Sequence, residues 1–511
     1  MSGARASRAP PAPPAPRVRR GDERMDELRS QRRAERAARN EHAGGAPPGA
    51  AARRAGNACD KPDAHGAHGA HGTHDAYGSR DEPGADGRRR ARAAPWYRRL
   101  GPGLLTGASD DDPSGIATYA QAGSQFGFAM LWLTVVTLPL MVAVQLASAH
   151  VGRGDREGLI AAIRRYYGAP LAKTLVVLVA LVNVANVGAD LSAMGDATAL
   201  LVGGKSYWFA LAYGAGMFAL QVRLPYPRYA RYLKWLSIAL FAYVIEVALV
   251  DVDWAAVAHA LVAPRIAFSH EYATTAVAVL GTTISPYLFV WQAALEVEEI
   301  AQERRAGTSA GASRKSSTSR GQGRRILIDT WVGMLASNVV AFCIMLTASA
   351  VFFAHGVHDI ATTRQAAKTL EPIAGRAAFL LFACGIVVSG LLAIPAFASS
   401  AAYGFAEAWR FRASMNAPLA RAPLFYAVIG ACLAVGVALC FSPINPIKAL
   451  YWSAVLNGVA AVPMLAMVMR LASRRDVVGR LTNGIVLNTL GWSATALMAV
   501  AVGVMVFDLV S

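Results

Sequence analysis

The 511-residue chain reads as an all-α polytopic membrane protein, an inverted-repeat bundle of about eleven transmembrane helices with helices one and six discontinuous. Three observations predict this. Apolar runs of bilayer-spanning length recur from Leu104 to Leu509. Cations alternate between rich and poor connections along the chain. Two of the apolar runs are interrupted by a proline among polar residues, as in transporters built around broken helices. Hydrophobic residues make up 54% of the chain and charged residues 16%, where a soluble domain carries about a quarter charged.

Residues 1–98 are rich in Ala, Pro, Gly and Arg and nearly devoid of large apolar side chains, which predicts a disordered cytoplasmic tail preceding a transmembrane domain over 99–511. The early arginines are followed by no apolar core of signal-peptide length. His65, His68, His71 and His74 recur among glycine and alanine, a pattern open to weak metal binding or to low-complexity drift. Spans are expected at about 103–125, 128–150, 171–194, 207–222, 233–250, 273–293, 330–354, 375–402, 422–441, 449–470 and 484–508. Arginines and lysines follow the even-numbered spans: Arg153 and Arg156 after the second, Arg228 and Lys234 after the fourth, Arg410 and Arg412 after the eighth. The connection after the fifth carries Asp251 and Asp253 instead. That alternation places the N-terminus in the cytoplasm and the C-terminus outside, in a cell membrane of bacterial inner-membrane type. A basic, Gly/Ser/Thr-rich linker over 303–326 separates the first six spans from the last five. The net charge of +17 is therefore orientation charge, and nucleic acid is not an expected partner; the lipid bilayer is. Five cysteines lack metal-ligand spacing, and the four in apolar runs read as buried thiols.

The first interruption is Ser109-Asp110-Asp111-Asp112-Pro113-Ser114-Gly115. Three consecutive carboxylates cannot face hydrocarbon, so they must point into the protein. Pro113 removes a backbone donor and Gly115 relaxes the dihedrals, so the helix breaks here. Carbonyl oxygens freed by a break are tolerated at membrane depth only around a cavity or inside protein. Carboxylate with bare carbonyls makes a hard-oxygen cation site. The second interruption, Leu280-Gly281-Thr282-Thr283-Ile284-Ser285-Pro286-Tyr287, lies five spans later, with Pro286 as its breaker.

Gly101-Pro102-Gly103-Leu104-Leu105 followed by Asp112-Pro113 resembles the first-helix signature of the Nramp divalent-metal transporters, and the resemblance extends over nearly all of residues 100–508. It implies a LeuT-like fold and inward movement of divalent metal, typically with protons, with no cofactor beyond the metal as substrate. In that family the first break reads D-P-G-N and the sixth-helix break M-P-H, and Asp, Asn and Met side chains bind metal with backbone carbonyls. By this resemblance Asp112 is a ligand, the Ser109 and Thr282 carbonyls fill the carbonyl positions, and Ser285 stands where the methionine would be. Tyr287 replaces the histidine and Gly115 the asparagine. Asp190 looks like the third-helix aspartate of the family's proton route, while the glutamate expected after it is Ala193. Ala454, with Asn457 nearby, falls near the tenth-helix glutamine.

Replacing a soft thioether by a hydroxyl removes a filter against Mg²⁺ and Ca²⁺, and losing a side-chain amide leaves room for the water that Mg²⁺ keeps. Weaker discrimination against hard ions follows, with Mg²⁺ and Mn²⁺/Fe²⁺ both open as cargo. Asp110 and Asp111 add negative charge near the site and join Asp190 and Tyr287 as a proton or secondary pathway. Asn183, Asn186 and Asp190 share a helix face, open to a proton path or to structural hydrogen bonding. Glu246 is expected to reach the interface, and Glu296, Glu298 and Glu299 to form an exposed helix end, with attraction of exiting cations as the alternative. A cation-coupled amino-acid or organic-solute carrier on the same scaffold is the alternative. The acidic first break argues against it, because a substrate carboxylate needs free helix amides without a neighbouring anion. No paired nucleophile and base occurs, so catalysis is not expected.

Overall fold

The computed structural model describes residues 102–224, 228, 235–248, 250–267, 269–309, 319–360 and 363–510. The expected tail, its histidine tract and Cys59 lie outside the described residues. The first apolar run is two helices, α1 (Pro102–Asp110) and α2 (Pro113–Phe126), the second starting on a proline where the missing N–H has no intrahelical partner to lose. A 3₁₀ turn, Gly127–Met130, leads into α3 (Leu131–Asp155). There follow α4 (Leu159–Tyr167), α5 (Ala169–Val202), α6 (Ser206–Arg223), α7 (Ala242–Val247) and α8 (Trp254–Val262). The sixth run is again split, into α9 (His270–Thr283) and α10 (Pro286–Ser309). The chain continues through α11 (Ser319–Val351), α12 (Thr363–Trp409), α13 (Pro423–Leu439), α14 (Pro446–Ala472), α15 (Arg475–Val478) and α16 (Ile485–Val510).

Each of the eleven expected stretches meets helix. Among the described residues, seven helical segments are long and apolar enough to cross a membrane, and Ile238–Val247 and Pro423–Leu439 are shorter apolar helices. The expected flexible linker is narrowed from both sides, since α10 runs to Ser309 and α11 begins at Ser319.

α1 and α2 pack on α11; α9 packs on α14 and α16; α10 lies between α3 and α12; α5 packs on α12, α13 and α14. Polar side chains sit inside, within an apolar core that includes Trp291, Phe289 and Phe397, and further large apolar side chains face outward. Asp110, Asp111, Asp112, Asn183, Asn186 and Asp190 are all buried, while Val135, Leu181, Trp208, Trp452 and Phe507 are exposed. An apolar exterior with the polar groups kept inside is the arrangement hydrocarbon demands of a helix bundle. Two cysteine expectations need correcting: Cys343 and Cys432 are buried, but Cys440 is only partly so and Cys384 is exposed, since a thiol is apolar enough to face outward here.

The α1–α11 seam is set by glycine. A Cβ on Gly103 would lie 2.7 Å from the Thr330 amide nitrogen, and one on Gly333 would lie 2.9 Å from Leu104 Cα and meet the Gly103 carbonyl oxygen. Only small residues let two backbones approach this closely. Asp329, on α11, seals the same seam by accepting from the Gly103 amide at 2.7 Å and the Leu104 amide at 3.3 Å, orphan donors of the α1 N-terminus. Gly333→Val is expected to cost at least about 1–3 kcal/mol by overpacking, read as a lower melting temperature in detergent. An unchanged melting temperature would show that the seam gives way easily.

Candidate metal site

The break in the first run lies at Asp111–Asp112, between the last residue of α1 and the first of α2. Asp112 is the N-cap of α2: its Oδ1 accepts from the Gly115 amide at 2.6 Å, and its Oδ2 from the Ser114 hydroxyl at 2.6 Å. Gly115 therefore sits inside the first turn of α2 rather than at the break, where its amide serves the cap. Across the gap, the Thr282 hydroxyl donates to Asp112 Oδ1 at 3.3 Å, tying the two broken helices together. A Cβ at Gly115 would be 3.1 Å from that hydroxyl and 3.2 Å from Asp112 Oδ1, so any larger residue must push the pair apart.

At the second break, α9 ends at Thr283 and Pro286 begins α10. Ser285 donates its hydroxyl toward the Gly281 and Thr282 carbonyls at 2.7 and 2.8 Å, leaving its lone pairs unused. Tyr287 donates to the Ser109 carbonyl at 2.8 Å and lies against Phe397 with ring centroids 4.1 Å apart. So both carbonyls singled out in the sequence already hold one hydroxyl, and each keeps a second lone pair. Asp112, Ser109, Thr282, Ser285 and Tyr287 thus gather around the facing breaks.

Asp110 and Asp111 turn elsewhere. Asp110 Oδ2 and Asp111 Oδ1 lie 2.8 and 2.9 Å from the Ser337 hydroxyl of α11. Asp190 is wholly buried on α5 with neither oxygen hydrogen-bonded, close enough to Asp112 to interact with it electrostatically. Its two asparagine neighbours are structural. Asn183 donates to the Phe397 carbonyl and Ser400, and Asn186 and Asn457 exchange amide hydrogen bonds at 3.1 and 3.2 Å, joining α5 to α14.

Several partners escaped the sequence. Ser337 is a lone hydroxyl in an apolar run; Ser114 hides in the break motif. Tyr119, whose hydroxyl meets Thr283 at 3.1 Å, reads as an ordinary core aromatic. Two acidic expectations are overturned. Glu246 is 3% exposed and does not reach an interface. Glu296 and Glu298 are buried, not an exposed helix end, because distant partners neutralise or hydrogen-bond them. Arg153 of α3 binds Glu296 at 3.1 Å, Glu299 at 3.4 Å and Glu303 at 2.9 Å, and Arg325 also pairs with Glu299. Tyr403 and Asn416 donate to Glu298 at 3.1 and 2.7 Å.

Among the described residues no three His, Cys, Asp or Glu side chains converge as a metal cluster. The donors at the breaks are one carboxylate, hydroxyls and carbonyls: an oxygen-only set suited to hard cations. The site is shut from both ends. A cavity of about 280 Å³ lined by Gln121, Gln125, Glu271 and Tyr451 lies along α2 and α9, beyond the Tyr119–Thr283 contact. Others of about 370 and 240 Å³ lie along α10 around Glu298. None of the three is lined by Asp112, which is 2% exposed.

Two broken helices facing each other in the polar interior of an apolar bundle, with cavities above and below a closed centre, define a membrane protein of the LeuT-like transporter fold class. The family model described as "Natural resistance-associated macrophage protein-like" matches residues 103–508. The chain belongs to the Nramp family. It is 27% identical over 295 residues to a protein named divalent metal cation transporter MntH from Yersinia enterocolitica, covering 57% of this chain and 68% of that one. The MntH of Pectobacterium carotovorum is 27% identical over 300 residues, with the same coverage. Among solved structures, the Eremococcus coleocola manganese transporter superposes with a TM-score of 0.65 at 18% identity, covering 80% of this chain and 85% of that one. Mhp1, a nucleobase-cation-symport-1 family transporter, matches with a TM-score of 0.51 at 15% identity, covering 80% and 93%. These likenesses bear on the fold.

Proposed function

We propose that this protein carries divalent metal cations across the cytoplasmic membrane into the cell, binding them between the two breaks through the Asp112 carboxylate, the Ser109 and Thr282 carbonyls and the Ser285 hydroxyl. The observation that carries this is the Asp112–Thr282 contact: a buried carboxylate on one broken helix held against the other, with carbonyls at hand. The names of the MntH relatives and of the manganese transporter structure support the cargo class. The N-terminus is cytoplasmic and the C-terminus outside, as the alternation of basic connections indicates. Divalent cargo is then released toward the Glu298 cavities.

The oxygen-only donors argue for a site that tolerates Mg²⁺ as well as Mn²⁺ and Fe²⁺, since no sulfur favours the softer ions. Asp190, within electrostatic reach of Asp112 and Tyr287, is the group through which protons would couple, and Asp110 and Asp111 on Ser337 add to the secondary polar path. The test is parallel uptake of Mn²⁺ and Mg²⁺ into proteoliposomes with the internal pH recorded. Uptake of both ions, each inhibiting the other, is the expected result. Manganese uptake indifferent to a large excess of Mg²⁺ would reject the relaxed filter, and movement of neither ion would reject divalent transport itself.

Tyr287→Phe is expected to raise KM for the metal several-fold with little change in maximal rate. It removes only the hydroxyl that orients the Ser109 carbonyl, a loss of about 0.5–1.5 kcal/mol. An unaltered KM would show that this carbonyl is aligned by the α1 backbone alone.

A further inference from the structure

The corner where α4, α5 and α12 pack together carries cations that the fold leaves without an anion. Arg164 lies in the last turn of α4, and its Nε is buried and meets no acceptor among the described residues. Two carboxylates stand within its electrostatic reach, and both are engaged elsewhere. Glu157 pairs with Arg165 at 2.6 Å, and Glu407 accepts from the Ile160 and Ala161 amides at 2.9 and 3.1 Å. The other near charges are themselves cations, Arg165 and Arg410. Like charges held together around a buried, unused donor favour an anion from outside the chain.

Arg410 follows the last residue of α12 in the left-handed region, with φ 64°, one of two non-glycine residues there among the described residues. Helix ends of this kind ordinarily take glycine, and strain of this kind clusters at ligand clamps. On α5 the corner continues into an apolar face. Lys173 holds its Nζ 5.2 Å from the centre of the Trp409 ring, and Trp409, 44% exposed, stacks on Phe405. Tryptophan beside basic side chains is the composition of a membrane–water interface. Val177 and Leu181, 42 and 65% exposed, follow Lys173 at four-residue intervals, so the three share one face of α5. At 1.5 Å per residue that stripe runs about 12 Å from the ammonium into the apolar zone. Cations at one end and exposed apolar side chains along the rest match an amphiphile; a free anion has no use for the stripe.

We propose that Arg164, Lys173 and Arg410 bind the phosphate headgroup of an anionic phospholipid whose acyl chain lies along Val177 and Leu181. In the orientation given above these residues lie at the cytoplasmic surface, where anionic headgroups attract basic side chains. Arg164 Nε gains its acceptor, and the charge on the phosphate offsets the repulsion between Arg164 and Arg410. The site depends on the bundle lying in a bilayer and not on which ion crosses it, so it is tested by lipid binding rather than by transport.

The experiment titrates the purified full-length protein in neutral detergent with phosphatidylglycerol, with phosphatidylcholine of the same acyl chains, or with inorganic phosphate. It is read by melting temperature and by lipid bound per protein. Saturable stabilisation by phosphatidylglycerol alone is expected, with its midpoint raised roughly fivefold in Arg164→Gln and in Arg410→Gly, the scale of one cation at an anionic surface. Arg410→Gly is the safeguard, because glycine suits the left-handed helix end and the fold is kept. Arg324→Gln removes an equal charge from an exposed position on α11 and should leave the midpoint where it was. An equal response to phosphatidylcholine overturns the site, and so does a midpoint unmoved in both Arg164→Gln and Arg410→Gly. Saturation by inorganic phosphate, with nothing added by phosphatidylglycerol, replaces the lipid by a free anion. Weakening in Arg324→Gln that matches Arg164→Gln reduces the effect to general surface charge and overturns it as well.

Discussion

Asp112→Asn is expected to reduce divalent uptake by more than about a hundredfold while the protein still folds. The substitution is clean because asparagine caps a helix as well as aspartate does, so α2 keeps its start. The amide oxygen can still accept from Gly115 at the position of Oδ1. What disappears is one full negative charge in a closed site. Unbalancing a buried ionic contact costs on the order of 3–5 kcal/mol, and each 1.4 kcal/mol is a factor of ten. The measurement is radiolabelled or fluorescence-reported uptake into proteoliposomes, beside a melting curve of the same preparation. Uptake within a factor of two or three of the unaltered protein would falsify the assignment of Asp112.

Arg153→Met carries the second large effect, on stability. Arg153 reaches from α3 to three glutamates of α10, and Glu296, at 1% exposure, depends on it most. Methionine preserves the apolar stem and removes the cation, which strands a buried carboxylate at a cost of about 3–5 kcal/mol. A lower melting temperature follows, and adding Glu296→Gln should recover part of it, because the stranded charge is then gone. If the single variant melts like the unaltered protein, the cluster is not what holds the end of α10 to α3. The Arg325–Glu303 contact at the rim, where both side chains are about 40% exposed, contributes much less to this stability.

The parts of the fold that could be read from sequence were those written locally. Prolines beside carboxylates and hydroxyls announced both breaks, because a break is a property of a few adjacent residues. Apolar run length announced the bundle for the same reason. What could not be read was pairing across distance. The Asp111 partner Ser337 is 226 residues away and looks like any small residue in a span. Glu296 was misplaced at the surface because its compensating cation, Arg153, is 143 residues upstream and was read as orientation charge. The asparagines of α5 showed that a polar face inside a membrane helix can be glue rather than pathway: Asn186 exchanges hydrogen bonds with Asn457 and donates to the Val182 carbonyl.

The N-cap at Asp112 has a bearing on ion size. A carboxylate oxygen has two lone-pair sites. Oδ1 spends both, on the Gly115 amide and the Thr282 hydroxyl, while Oδ2 spends one, on Ser114. A single berth remains, on Oδ2. An ion that grips a carboxylate by one oxygen can enter without disturbing the helix start. One that straddles both oxygens, as Ca²⁺ often does in its six- to eight-fold shells, must evict a donor and unravel the first turn. With Asp112 as the proposed ligand, the same few atoms that begin a helix would act as a gauge, set against large cations before any pore diameter is considered.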